Sequence, residues 1–173
     1  MNQQIILVDE NDCEIGEMEK MAVHESGVLH RAFSVFIFNS ENQLLLQRRA
    51  FDKYHCGGLW TNTCCSHPGV GEDNALAADR RLMEEMGIFC KLEHKFFFKY
   101  YASFENGLKE HEIDHVFFGF TNQIPILNLE EAADYRYLSL EELSLDIDEK
   151  PALYTPWLKI CLSKVIEFKN LVK

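Results

Sequence analysis

What this sequence lacks narrows it first. Against 28 Asp and Glu there are 17 Lys and Arg, a formal net charge of −11. A basic face able to neutralise a phosphate backbone is therefore not expected, which sets general nucleic-acid binding aside. No apolar run approaches the roughly 20 residues that span a bilayer. The opening stretch, MNQQIILVDENDCEIGE, has no basic segment leading into an apolar core, so neither a membrane span nor a signal peptide is expected. Repeats, low-complexity tracts and Gly/Ser/Pro-rich linkers are missing too, and residues 1–173 are expected to form one domain. The six cysteines follow no regular spacing and include no C-x2-C pairs of the kind that hold structural zinc. They read as reduced thiols in a cytoplasmic protein.

What is present is an apolar, aromatic chain: 47% apolar and 26% charged residues, with thirteen Phe and six Tyr. QQIILVD reads as a first strand. AFSVFIF (Ala32–Phe38) and QLLLQRR (Gln43–Arg49) flank the turn-rich NSEN and predict a hairpin. FDKYHCGGLWTNTCCSHPGVG is too irregular for one element and predicts a functional loop with short extended pieces. DNALAADRRLMEEMG predicts a helix with Ala75, Ala78, Leu82 and Met86 inward, Leu76 and Met83 widening the stripe, and Gly87 ending it. Phe96–Phe104 and Ile113–Phe120 are strand candidates joined across ENGLKEHE, and YRYLSL is another. Ser139 and Glu142 form a capping-box start for a short helix. Thr155–Pro156 opens a last helix, with Trp157, Ile160, Cys161, Leu162 and Val165 as its apolar residues. This order predicts an α/β (α+β) sandwich, a mixed β-sheet flanked by helices.

From Glu72 the chain runs E-x7-R-R-L-M-E-E-M-G-I, a spacing that resembles the Nudix box G-x5-E-x7-R-E-U-x-E-E-x-G-U. Glu84 and Glu85 on the helix flank suit Mg2+ bridging diphosphate oxygens. Two positions depart from the box: its opening glycine falls on Ser66, and the Glu of its REU falls on Arg81. A carboxylate needed for hydrolysis is thus replaced by a guanidinium suited to phosphate. The pattern is that of a Nudix scaffold that binds a diphosphate without cleaving it. A diphosphate hydrolase is the rival reading.

His24, His30 and His67, with Glu110 and Glu112 two apart on one strand face, form a candidate octahedral Mn2+, Mg2+ or Zn2+ site. His55, His94, His111 and His115 are alternative ligands, although His111 falls on the strand face opposite Glu110 and Glu112. In TNTCCSHP an extended backbone points Cys65 and His67 one way and Cys64 and Ser66 the other. That makes Cys65 a candidate proton-transfer thiol beside a metal ligand and Cys64 buried packing.

Together, K-x3-H-x5-H-R-A-F-S, LLLQRRAFDKYHCGGLWTNTCCSHP, the altered Nudix helix, the E-x-E pair and the late TPW resemble the type 1 isopentenyl-diphosphate Δ-isomerases, over nearly the whole chain. The resemblance implies a soluble isomerase of isoprenoid biosynthesis. It would interconvert isopentenyl and dimethylallyl diphosphate through a tertiary carbocation and act as a monomer or homodimer. It further implies His24, His30, His67, Glu110 and Glu112 as ligands of Mn2+ or another divalent ion, with Glu85 holding the substrate-associated Mg2+. Cys65, Glu112, Tyr100 and Trp157 take the catalytic positions, and Lys20, Arg49, Lys53 and Arg81 the diphosphate-binding ones. Tyr101 is the alternative to Tyr100, a choice that strand register decides.

Overall fold

The structure, a computed structural model, describes residues 3–171. It opens with the antiparallel pair β1 (Gln4–Val8) and β2 (Glu14–Glu19), followed by α1 (Lys20–Ser26). Next come β3 (His30–Phe38), β4 (Leu44–Arg49) and the short β5 (Trp60–Thr61) and β6 (Cys64–Ser66). Helix α2 (Asn74–Met86) precedes the long hairpin β7 (Leu92–Ser103) and β8 (Lys109–Phe120). The described chain closes with β9 (Ala132–Leu138), α3 (Leu140–Glu149), a 3-10 turn at Pro151–Leu153 and α4 (Pro156–Leu171). The mixed sheet and flanking helices are those expected of an α+β fold.

Strand β3 organises the sheet. Along one edge it runs parallel to β8 from His30↔Glu112 to Phe38↔Phe120. Its other edge is shared: β1 meets it at His30, β6 at Phe33–Val35, and β4 only at Phe38. The expected β3–β4 hairpin therefore exists but splays at once. Thr63 fills the gap, accepting from Ile37 N at 2.9 Å and donating to Leu45 O at 2.6 Å. Beside it Asn62 Nδ2 donates to Val35 O (3.2 Å) and Cys64 O (2.8 Å). These side chains satisfy backbone groups that the splay would otherwise bury unpaired, a loss of about 1–3 kcal/mol each.

Alternation sorts the core into two layers. Val35, Ile37, Leu45 and Cys64 pack on α2 through Ala77, Ala78, Leu82 and Met86. Phe36, Phe38, Leu44 and Leu46 pack on α3 and α4 through Leu143, Trp157, Leu158 and Val165. Helix α2 is capped by Asp73, whose carboxylate accepts from Ala75 N and Leu76 N, and it ends at Gly87 with φ +63°. Cβ atoms are strained at that angle, and one here would also sit 2.8 Å from Ile126 Cβ.

Four helix-face assignments and one cap differ from the sequence reading. Ala75, Leu76 and Met83 face solvent, and Ala77 takes the inward place. Ile160 is exposed on α4, with Leu158 buried instead. The hydroxyl of Thr155 donates to Thr61 Oγ1 at 3.0 Å rather than capping α4. The capping box at Ser139 and Glu142 is formed as expected.

Candidate active site

The splay of β3 from β4 opens onto a cavity of about 730 Å³, counting its mouth. Behind its rear wall α1 supplies His24, the start of β3 His30, the residue after β6 His67, and β8 Glu110 and Glu112. All five are buried, and one donor atom from each lies within 4.8 Å of the others. His24 Nδ1 faces Lys20 O at 2.6 Å and His30 Nδ1 faces Val28 O at 2.8 Å. A carbonyl at Nδ1 places the proton there and leaves the Nε2 lone pair aimed inward, the tautomer a metal ligand needs.

The Nε2 atoms of His24 and His30 and Oε2 of Glu110 are buried without a hydrogen-bond partner. Octahedral ligands at about 2.2 Å from an ion stand about 3.1 Å apart on neighbouring vertices and about 4.4 Å on opposite ones. The observed separations are of that size: His30 Nε2 lies 3.7 Å from Glu110 Oε2 and 3.4 Å from Glu112 Oε1, and His67 Nε2 lies 2.9 Å from Glu112 Oε1. The cluster fits a divalent cation. His111 instead meets Gly27 O at 3.1 Å, and His94 and His115 pair at 3.2 Å away from the cluster, beside Asp12.

Burial alone would disfavour the His30 cation, but hydrogen bonds to Glu110 and Glu112 outweigh it and raise the imidazole to about 10. Burial wins at His67, which falls to about 4 despite Glu112. The His30 ring is therefore held as an imidazolium at neutral pH. A metal needs that ring neutral, so each pH unit below about 10 costs a factor of ten in available ligand. Mn2+ affinity is expected to rise about tenfold per unit between pH 6.5 and 8.5. Titration calorimetry at three pH values checks this, and an affinity flat across that range would contradict it.

In front of the cluster stand the groups able to move protons. Tyr100 donates to Glu112 Oε2 at 2.6 Å, and the register Tyr100↔Glu112 turns Tyr100 inward (6% exposed) and Tyr101 outward (55%). Cys65 also lines the cavity, with Sγ 3.9 Å from Thr61 Oγ1, and burial pushes its thiol up to about 12. Burial also works against ionised Glu112, as does Glu110, but His30 and His67 hold it below the ordinary carboxylate value. The neighbours thus combine a neutral thiol with an ionised carboxylate. Trp157 Nε1 donates to Thr61 Oγ1 at 2.9 Å, so Thr61 positions the indole beside the thiol.

Lys20, Arg49, Lys53 and Arg81 line the same cavity. Arg49 lies over Trp157 at 5.4 Å. Arg81 Nη2 holds Glu85 Oε1 at 2.7 Å and Glu131 Oε1 at 3.1 Å, and Lys53 also pairs with Glu131. Glu85 is buried and accepts from Gln47 Nε2 at 2.9 Å, whereas Glu84 is exposed between Arg80 and Arg81. The expected Glu84–Glu85 pair is therefore split, and only Glu85 reaches the cavity. Ser66, at the box glycine, sits in β6 opposite Phe33.

Sequence reasoning passed over several residues here. Asp114 continues the alternation of Glu110 and Glu112 and was legible from EHEID; burial raises its carboxyl, and Ser34 Oγ donates to it at 2.8 Å. Gln47, Tyr54 and Glu131 reach the cavity only through tertiary packing and left no local signal.

Fold and site together define the class. A family model described as NUDIX domain matches residues 28–158. The Deinococcus radiodurans protein DR0079 superposes with a TM-score of 0.71 at 22% identity, covering 85% of this chain and 90% of its own, which establishes a shared fold. Isopentenyl-diphosphate Delta-isomerase 2 of Aromatoleum aromaticum is 52% identical over 99% of this chain and 90% of its own length. The isopentenyl-diphosphate Delta-isomerase of Pectobacterium atrosepticum is 47% identical over 95% and 92%. The chain belongs to the isopentenyl-diphosphate Delta-isomerase family, within the Nudix proteins.

Proposed function

We propose that this cavity interconverts isopentenyl and dimethylallyl diphosphate by adding a proton at one carbon and removing one from another. The observation that carries the reading is the placement of Cys65 and the Tyr100–Glu112 pair in one cavity that four cations also line. Lys20, Arg49, Lys53 and Arg81 bind the diphosphate, which takes over the cations now neutralised by Glu131 and Glu85. The hydrocarbon lies between Cys65 and Glu112, so one proton is exchanged on each face. Tyr100 holds the Glu112 oxygen that faces the substrate. Trp157 presents its π-face to the tertiary carbocation, worth about 0.5–2 kcal/mol. Its apolar surroundings exclude the water that would trap that cation.

Bound divalent ions would supply positive charge, at His24, His30, His67, Glu110 and Glu112 to keep Glu112 ionised, and as Mg2+ beside Glu85 to neutralise diphosphate oxygens. Mn2+ is our choice for the His/Glu site. The chain works as one domain, as a monomer or homodimer, with a small-molecule substrate and no nucleic acid. Six free cysteines suit the cytoplasm. Among the described residues no helix is long and apolar enough to cross a membrane.

Diphosphate hydrolysis has less support, because Arg81 stands at the box carboxylate and binds Glu85. Arg81→Ala removes a charge-assisted phosphate contact and is expected to raise KM about 10–100-fold, with a smaller change in kcat. Steady-state kinetics read this directly; an unchanged KM would remove Arg81 from diphosphate binding. Acid treatment of the product tests the reaction itself. Allylic dimethylallyl diphosphate ionises in acid and isopentenyl diphosphate resists, so acid-labile product without prior phosphate release is expected. Phosphate release alone would favour the hydrolase.

A further inference from the structure

We infer that His55 is a positioning residue that couples the metal centre to the diphosphate pocket. The inference rests on the reading of the His/Glu cluster as a metal site. His55 is buried, and its Nε2 lies 2.5 Å from Glu110 Oε1. On the same carboxylate Oε2 is unpartnered and turned toward His30 at 3.7 Å. With His55 Nε2 set against Oε1, Oε2 is the oxygen left for the ion, and outer groups of this kind hold ligating carboxylates in place. Neither ring nitrogen of His55 completes a hydrogen bond, so the close approach of Nε2 to Glu110 Oε1 is the polar contact that its position explains.

The backbone is shaped to deliver this ring. Cys56 adopts φ +52° and Gly58 φ +74°, and a Cβ on Gly57 would lie 2.4 Å from Phe51 O. The imidazole stacks on Phe104 at 4.7 Å and 7°, and Asn106 Nδ2 donates to Tyr54 O at 2.9 Å. The same segment carries Lys53, and the His55 carbonyl accepts from Arg49 Nη2 at 3.3 Å. Fixing His55 on a metal-bound Glu110 thus fixes the loop that carries Lys53 and braces Arg49 at the end of β4. Such coupling is reciprocal by thermodynamic necessity.

The test is Mn2+ binding, read by electron paramagnetic resonance, together with hydrogen exchange over residues 50–59. In the wild-type chain Mn2+ is expected to slow exchange across this loop. His55→Phe keeps the stack on Phe104 but lacks the nitrogen. It should bind Mn2+ about 10–100-fold more weakly and, at saturation, lose the slowing. His55→Gln places an amide nitrogen as many bonds from the backbone as Nε2 and should restore most of both. Wild-type affinity or intact slowing in His55→Phe would overturn the inference. So would equal defects in Phe and Gln, which would make the ring stack the essential feature. A wild-type chain that binds no Mn2+ would instead sink the metal reading beneath it.

Discussion

Cys65→Ala is expected to lower kcat by about 10²–10⁴-fold, the usual worth of a positioned acid or base. A carbon centre exchanges protons slowly with water, and no other thiol lines this cavity among the described residues. Cys64→Ala is the internal control. Strand β6 pairs Cys64 with Val35 and Cys65 with Ser34, so the two side chains leave opposite faces. Cys64 packs against α2, where losing its sulfur costs about 1 kcal/mol of stability and leaves turnover largely intact. Equal activity in Cys65→Ala and wild type, measured at saturating substrate, would remove the thiol from the reaction.

Glu112→Gln carries the second large effect. Its two oxygens have separate tasks: Oε1 faces His30 and His67, and Oε2 accepts from Tyr100. The amide cannot take a proton, so kcat should fall by about 10²–10⁴-fold. It is also a poorer cation ligand, so Mn2+ affinity should drop as well. Glu110→Gln separates the two tasks. That variant weakens Mn2+ but regains activity at high Mn2+, whereas Glu112→Gln does not. Kinetics across a Mn2+ titration distinguish them, and full recovery of Glu112→Gln would reduce Glu112 to a ligand only.

Much of this was legible because strand alternation has one answer. Once TNTCCSHP is extended, Cys65 must oppose Cys64, and EHEID must align Glu110, Glu112 and Asp114. Tyr100 against Tyr101 needed the β7–β8 register, which depends on an irregularity between His94 and Phe96 that no local pattern announces. Helix faces were less determinate. Successive residues turn by about 100°, so a broad apolar stripe admits a shift of one position, and Leu76, Met83 and Ile160 fell on the wrong side. Glu84 and Glu85 differ in the same way, adjacent in sequence yet one exposed and one buried. The Glu131 link to Lys53 and Arg81 joins residues far apart in the chain and exists only in the folded state.

The central claim is that protons move at carbon while the diphosphate stays whole. Proton and phosphorus NMR of isopentenyl diphosphate incubated with the protein, Mg2+ and Mn2+ in D2O tests it most directly. The account predicts dimethylallyl signals carrying deuterium with both phosphorus resonances intact. Released phosphate with no allylic isomer would contradict it.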